Sequence, residues 1–204
     1  MISFLISQTL ASRELIPNKT LPLLQRFVPD KKPTTKYAYV TAFSGDSKRQ
    51  YRFLMTVVFG YNLMMKDKNK YDRVLIVPND SFLTYSKLKL LEKVYTHIVV
   101  RDYITWPNGK KEPLSFHKHM WYKLNVFTLD QYEKVYWSGT DVLFLKDPSF
   151  VFEFPAPASS PDMHLWNVCR YSIVTNGDCF LLRPNIDDYE GLIHLGSKRL
   201  HDPV

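Results

Sequence analysis

The stretch Tyr132 to Asp147 reads YEKVYWSGTDVLFLKD, an apolar run interrupted by the small polar residues SGTD and then resumed. Strand interiors disfavour Ser, Gly, Thr and Asp in succession. KVYW (134–137) is therefore read as a strand, SGTD as the chain beyond its end, and VLFL (142–145) as a second strand-like run. This reading sets one carboxylate, Asp141, at the end of an apolar strand, two residues after Gly139. What Asp141 does there depends on the kind of sheet the strand belongs to.

The flanking sequence answers that. From Tyr37, YAYVTAF is rich in β-branched and aromatic residues and ends in the turn-like SGD, which reads as a first strand. QYRFLMTVVFGYNLMM (50–65) is apolar over helical length with Arg52 as its one charge, so a largely buried helix is expected. DRVLIVP (72–78) reads as a strand. SFLTYSKLKLLEKVY (81–95) reads as an amphipathic helix capped by Ser81, with Leu83, Leu88, Leu91 and Val94 near one face. THIVVRDY gives a third strand, HKHMWYKLNVFTLDQY (117–132) a helix, and GDCFLLRP a late strand, with FEFPAPASSP (152–161) as a surface loop. Strands alternating with helices predict an α/β fold with a mainly parallel sheet flanked by helices. In such sheets ligands bind outside the carboxyl ends of the strands, often at a topological switch, and that is where SGTD lies.

Composition bounds the function classes. With 204 residues the chain is expected to be one globular domain, residues 37–204, preceded by an arm or linker, residues 1–36, that Pro17, Pro22, Pro29 and Pro33 keep irregular. The formal net charge of +7 favours anionic partners, yet there is no nucleic-acid motif, so nucleic acid is not the favoured partner. Two cysteines, Cys169 and Cys179, make no disulfide framework, and no apolar run reaches membrane-spanning length. These features predict a cytoplasmic protein without a membrane span.

The order of pieces has a further implication. WYKLNVFTLDQYEKVYWSGTDVLFL resembles the central signature of the glycogenin-like, family-eight glycosyltransferases, with Lys123, Leu124, Leu129, Gln131, Tyr132, Lys134, Val135, Asp141, Leu143 and Leu145 in matching places. AYVTAFSGDSKRQY is similar to the family's opening segment, and ASSPD with TNGDCFLLRPN resembles its later ones, placing Asn176, Phe180, Arg183 and Pro184 in register. The resemblance covers about residues 37 to 195. It implies a GT-A fold with a Rossmann-like sheet, and retaining transfer of a hexose from a nucleotide diphosphate sugar, commonly a UDP-sugar, to an acceptor hydroxyl on a sugar, glycan or protein. It also implies Mn²⁺ or Mg²⁺ on a D-x-D motif, where Asp141 is the metal ligand. Donor contacts expected on the resemblance are Thr41, Tyr51, Lys123, Asp141 and Asn176, together with Ser44 and Asp178 at positions where this chain differs from the family, with the base near the end of the first strand and the diphosphate against Lys123 and Asp141.

The chain departs from the family pattern in ways that bear on chemistry. The first Asp of D-x-D falls on Gly139, and one carboxylate binds a divalent cation more weakly than two. Asp178 stands where the family has Gly, and Ser44-Gly45 replace the pair that borders the uracil. Three readings follow: a site rebuilt with groups such as Asp178, Asp162 or His164 beside Asp141; a catalytically silent binding or scaffold module; or one piece of a longer polypeptide that completes the site. No residue presents itself as a nucleophile.

Overall fold

The structure, a computed structural model, describes residues 32–43, 50–78, 83–104, 121–161 and 175–199. Strand β1 (Tyr37–Ala42) is followed by helix α1 (Gln50–Asp67), β2 (Asp72–Pro78), helix α2 (Tyr85–Leu91) and β3 (His97–Arg101). A 3₁₀ helix (Tyr122–Thr128) leads into β4 (Lys134–Ser138), and a second 3₁₀ helix (Ser149–Glu153) precedes β5 (Ala158–Pro161), β6 (Thr175–Leu182) and α3 (Ile186–Arg199). The six strands form one sheet in the order β3-β2-β1-β4-β6-β5. β3, β2, β1 and β4 run parallel, while β6 is antiparallel to both β4 and β5. The expected α/β class with a mainly parallel sheet is therefore the one observed.

Burial explains the strand sequences. All seven residues of DRVLIVP are buried, as expected for a parallel strand covered on both faces. On one face Leu75, Val77, Ile98 and Val100 pack with Phe53 of α1 and Leu83, Leu88, Leu91 and Val94 in and beside α2. Further along that face Tyr39 meets Phe59, Leu63 and Phe152. The opposite face buries Val40, Val74, Ile76, Val135 and Trp137 under Tyr122, Val126 and Leu129. Helix α1 is less enclosed than its composition predicts, because Tyr51, Leu54 and Met65 are exposed.

Four local expectations are corrected. Helix α2 begins at Tyr85 with Thr84 as its cap, the hydroxyl accepting from Lys87 N, so it is shorter than residues 81–95; Ser81 lies outside the described residues. Within 117–132, residues 117–120 lie outside the described residues, Trp121 is α-helical, residues 129–132 form a turn and Tyr122–Thr128 forms a 3₁₀ helix. Its side chains compete for backbone carbonyls: Asn125 Nδ2 donates to Tyr122 O at 3.1 Å, and Thr128 Oγ1 to Asn125 O at 2.8 Å. VLFL is not a strand, since Asn62 takes both backbone groups of Phe144, accepting from its N–H at 2.8 Å and donating to its carbonyl at 3.1 Å. ASSP, read as loop, is the edge strand β5, where its terminal Pro161 is tolerated.

The amino ends of the strands are tied by one carboxylate. Asp72, buried at the start of β2, accepts from Thr34 N at 2.8 Å, Thr35 N at 3.2 Å and Tyr132 OH at 3.1 Å, and also from the Thr34 hydroxyl. His97 Nε2 lies 3.2 Å away. Burial opposes this charge, but the hydrogen bonds from Thr34 and Thr35 and the neighbouring His97 hold the carboxyl below the ordinary carboxylate range. The last residues of the N-terminal arm are thus docked on the sheet, joined by Glu133 N donating to Lys36 O at 2.8 Å. Residues 1–31 of the arm lie outside the described residues.

Candidate functional site

The sheet grows from β1 through β2 to β3 on one side and then places β4 on the other side of β1, so the topological switch lies between β1 and β4. A ligand crevice is expected outside the carboxyl ends of those two strands. Beyond Ser138 the β4–β6 ladder continues by one bond, from Gly139 N to Asp178 O at 2.9 Å. That bond sets Asp178 beside Gly139. A Cβ built on Gly139 would lie 2.6 Å from Asp141 Oδ1 and 3.7 Å from Asp178 Cβ, so both carboxylate residues border the space that a side chain at 139 would take.

Lys123 reaches the same place from the 3₁₀ helix. Its Nζ donates to Gly177 O at 2.8 Å and lies 3.6 Å from Asp178 Oδ1. The two side chains differ in freedom: that of Lys123 is 22% exposed and that of Asp178 62%. Asn176 Oδ1 accepts from Asp178 N at 2.7 Å, which makes Asn176 the side chain that shapes this turn. Ser159 Oγ braces the turn from β5, donating towards Asn176 O at 3.1 Å and Cys179 O at 3.2 Å.

Of the residues named from sequence, Lys123, Asp141, Asn176 and Asp178 are brought together. Thr41 lies one residue beyond the β1–β4 pair Val40–Trp137; it is 1% exposed and its Oγ1 has no hydrogen-bond partner. Tyr51, in the first turn of α1, is 55% exposed. Ser44, Asp162 and His164 lie outside the described residues. Sequence reading missed Asn62, whose two bonds to Phe144 fix the chain three residues after Asp141. The available signal was an amide in an otherwise apolar helix. It also missed the Gly177 carbonyl, which has no side-chain signature.

Beneath the mouth, Ser138 Oγ is 3.9 Å from Cys179 Sγ, and burial, with Cys179 adding to it, pushes the Tyr136 phenol above its ordinary value. An open cleft of about 1250 Å³ runs from Lys123 and Asn176 over Phe127 and Phe180 towards Leu192 and Leu195 of α3. Of the residues at the strand end it touches Lys123, Asn176 and Gly177, but not Asp141 or Asp178. A smaller cavity of about 310 Å³ beside β3 meets His97 and Arg101 and is lined by none of the donor or metal residues named from sequence.

Among the described residues no three His, Cys, Asp or Glu side chains converge to hold a metal. At the strand end Asp141 stands beside a glycine, and Asp178 already has the Lys123 ammonium as partner. Mn²⁺ and Mg²⁺ need several oxygen ligands, and the described residues do not fit a resident ion of that kind.

Among the described residues no helix is long and apolar enough to cross a membrane. No protein-family model matches the chain. It is 32% identical over 127 residues to an uncharacterized protein of Acanthamoeba polyphaga mimivirus, covering 61% of this chain and 43% of that one. To glycogenin-1 of Mus musculus it is 25% identical over 170 residues, covering 81% of this chain and 46% of glycogenin-1. The chain thus spans less than half the length of either relative. Solved structures that it resembles include two of the glycosyltransferase GlyE from Streptococcus pneumoniae TIGR4, one of them the apo form. Both superpose with a TM-score of 0.51 over 83% of this chain, at 14% and 13% identity, and 40% and 41% of those chains are covered. The sheet and its flanking helices therefore have a glycosyltransferase-like fold, and the sequence is similar to part of glycogenin-1.

Proposed function

We propose that this chain is a nucleotide-sugar glycosyltransferase of the glycogenin-like, family-eight kind, which moves a hexose from a UDP-sugar to an acceptor hydroxyl with retention at the anomeric carbon. The observation that carries the proposal is the convergence of Lys123, Asp141 and Asp178 at the carboxyl end of β4, beside the topological switch. Charge on a departing diphosphate must be met by fixed groups of opposite sign, and Lys123 supplies one. The donor's base lies towards the end of β1, in the neighbourhood of Thr41, Ser44 and Tyr51. Asn176 and the Asp178 turn border the transferred sugar. A sugar, glycan or protein acceptor enters along the cleft over Phe127 and Phe180, where an aromatic face can stack on a sugar ring.

The test is transfer itself. Purified chain incubated with UDP-hexoses and oligosaccharide or peptide acceptors is expected to release UDP and give a product whose anomeric configuration, read by NMR, matches the donor. Lys123→Met is expected to abolish transfer, and full activity in that folded variant would overturn the assignment. A second reading, a catalytically silent binding module that keeps the fold, is favoured by Gly139 in the place of a carboxylate. It predicts UDP-sugar binding with no turnover for any acceptor.

A further inference from the structure

We propose that this site takes the donor's diphosphate on the Lys123 ammonium in place of a divalent cation, with Asp178 as the resting counter-ion that the diphosphate displaces. The inference rests on the donor-site reading above and adds to it the chemistry by which the phosphates are held. A metal-bridged diphosphate needs carboxylates grouped tightly enough to retain the ion. The described residues supply Asp141, exposed in a turn, and Asp178, already engaged. A side chain at 139 would have completed the group, but its place is bordered by Asp141 Oδ1 at 2.6 Å from the missing Cβ.

An ammonium-based site makes the opposite demand: a positive charge fixed in position, with a counter-ion able to leave. Lys123 meets the first condition. Its side chain is mostly covered, and one N–H is committed to the Gly177 carbonyl at 2.8 Å, which aims the ammonium without neutralising it. Asp178 meets the second. Its carboxylate is mostly in water and 3.6 Å from the ammonium, a distance of ion pairing rather than of a short charge-assisted hydrogen bond. Only the Asp178 backbone is tied down, through its carbonyl to Gly139 N and its own N–H to Asn176 Oδ1. The carboxylate can swing into solvent while the strand stays paired, and a diphosphate oxygen then takes its place on Nζ.

The two ways of holding the diphosphate give opposite signs for one substitution. If Asp178 were a metal ligand, Asp178→Asn would weaken donor binding. As a counter-ion that competes with and repels the incoming anion, its neutralisation should tighten binding by about fivefold, the effect of one like charge near 4 Å in a water-like dielectric. Lys123→Met should weaken binding by roughly ten- to a hundredfold, the loss of a hydrogen bond to a charged group.

The experiment is calorimetric titration of the full chain with UDP, in EDTA and again in Mn²⁺, on the parent protein, Asp178→Asn and Lys123→Met, with circular dichroism to establish that the variants keep the parent fold. The expected result is binding in EDTA that Mn²⁺ does not tighten, a gain in Asp178→Asn and a loss in Lys123→Met. Binding that requires Mn²⁺, and that weakens in Asp178→Asn, would overturn the inference while leaving the donor-site reading standing. Unchanged affinity in a folded Lys123→Met would also overturn it. Absence of UDP binding under both conditions would overturn the donor-site reading, and the inference with it.

Discussion

Replacing Asp72 by alanine removes the acceptor that ties the N-terminal arm, β2, β3 and the segment before β4 together. The backbone N–H groups of Thr34 and Thr35 sit in a part-exposed setting where water can replace the carboxylate, so they add little to the loss. Tyr132 is 4% exposed, and for its hydroxyl water is no substitute. A buried polar group left without its partner costs about 1–3 kcal/mol, so its loss gives a destabilisation of about 2 kcal/mol. For a chain of this size that corresponds to a fall in Tm of roughly 4–8 °C. Asp72→Asn keeps an acceptor oxygen and loses the charge, and is expected to fall between the parent and the alanine variant.

The same carboxylate fixes a pH dependence. Its folded-state pKa is held below the ordinary value, so its contribution is complete above about pH 4, the ordinary range of an unfolded Asp, and is lost as pH falls through the folded value. The stability gap between parent and Asp72→Ala, measured by urea unfolding at a series of pH values, should be constant from neutral pH to about pH 5 and narrow below pH 4. A gap under about 1 kcal/mol at neutral pH, or one that widens on acidification, would refute this account of how the arm is anchored.

Asn62→Leu should destabilise the fold by about 2 kcal/mol, one for each bond to the Phe144 backbone, and weaken UDP binding further by loosening the chain after Asp141; urea unfolding and calorimetry would read the two effects separately. Gly60→Ala tests close packing in α1, because a Cβ there would meet the Tyr95 ring at 2.8 Å and Val94 Cγ2 at 3.0 Å. Tyr95 is buried and donates its hydroxyl to Thr56 O at 2.7 Å, so overpacking of roughly 1–3 kcal/mol should outweigh the helix propensity that alanine adds, and a rise in Tm would contradict this.

The parts of the fold legible in the sequence are those whose burial leaves a continuous pattern. DRVLIVP is covered on both faces and reads as a strand over the same seven residues that form β2. YAYVTAF and KVYW are similar cases, because the core dictates every second side chain or more. Where backbone polar groups are satisfied by side chains from elsewhere, the pattern misleads. VLFL has the composition of a strand, but its Phe144 backbone pairs with Asn62, 82 residues away along the chain. Only folding brings those groups together. The 3₁₀ helix at Tyr122–Thr128 is another such case, since Asn125 also donates to Asp102 O at 3.2 Å and so depends on the end of β3.

The candidate site divides along the same line. Lys123, Asp141, Asn176 and Asp178 are named through the resemblance to the glycogenin-like family, whose motif pieces stand in matching order in the sequence. Their relations could not be read that way, since they arise from a cross-strand bond, Gly139 N to Asp178 O, that joins the residue after β4 to β6, far apart in sequence. That bond gives Gly139 a meaning the sequence withholds. In the chain it reads as a lost carboxylate; in the fold its missing side chain is the opening bordered by Asp141 and Asp178. An acidic side chain at 139 would crowd Asp141 and add a further negative charge near the Lys123 ammonium. The glycine is therefore consistent with a site built around Lys123, in which too many carboxylates would oppose the anion as effectively as too few would fail to hold a metal.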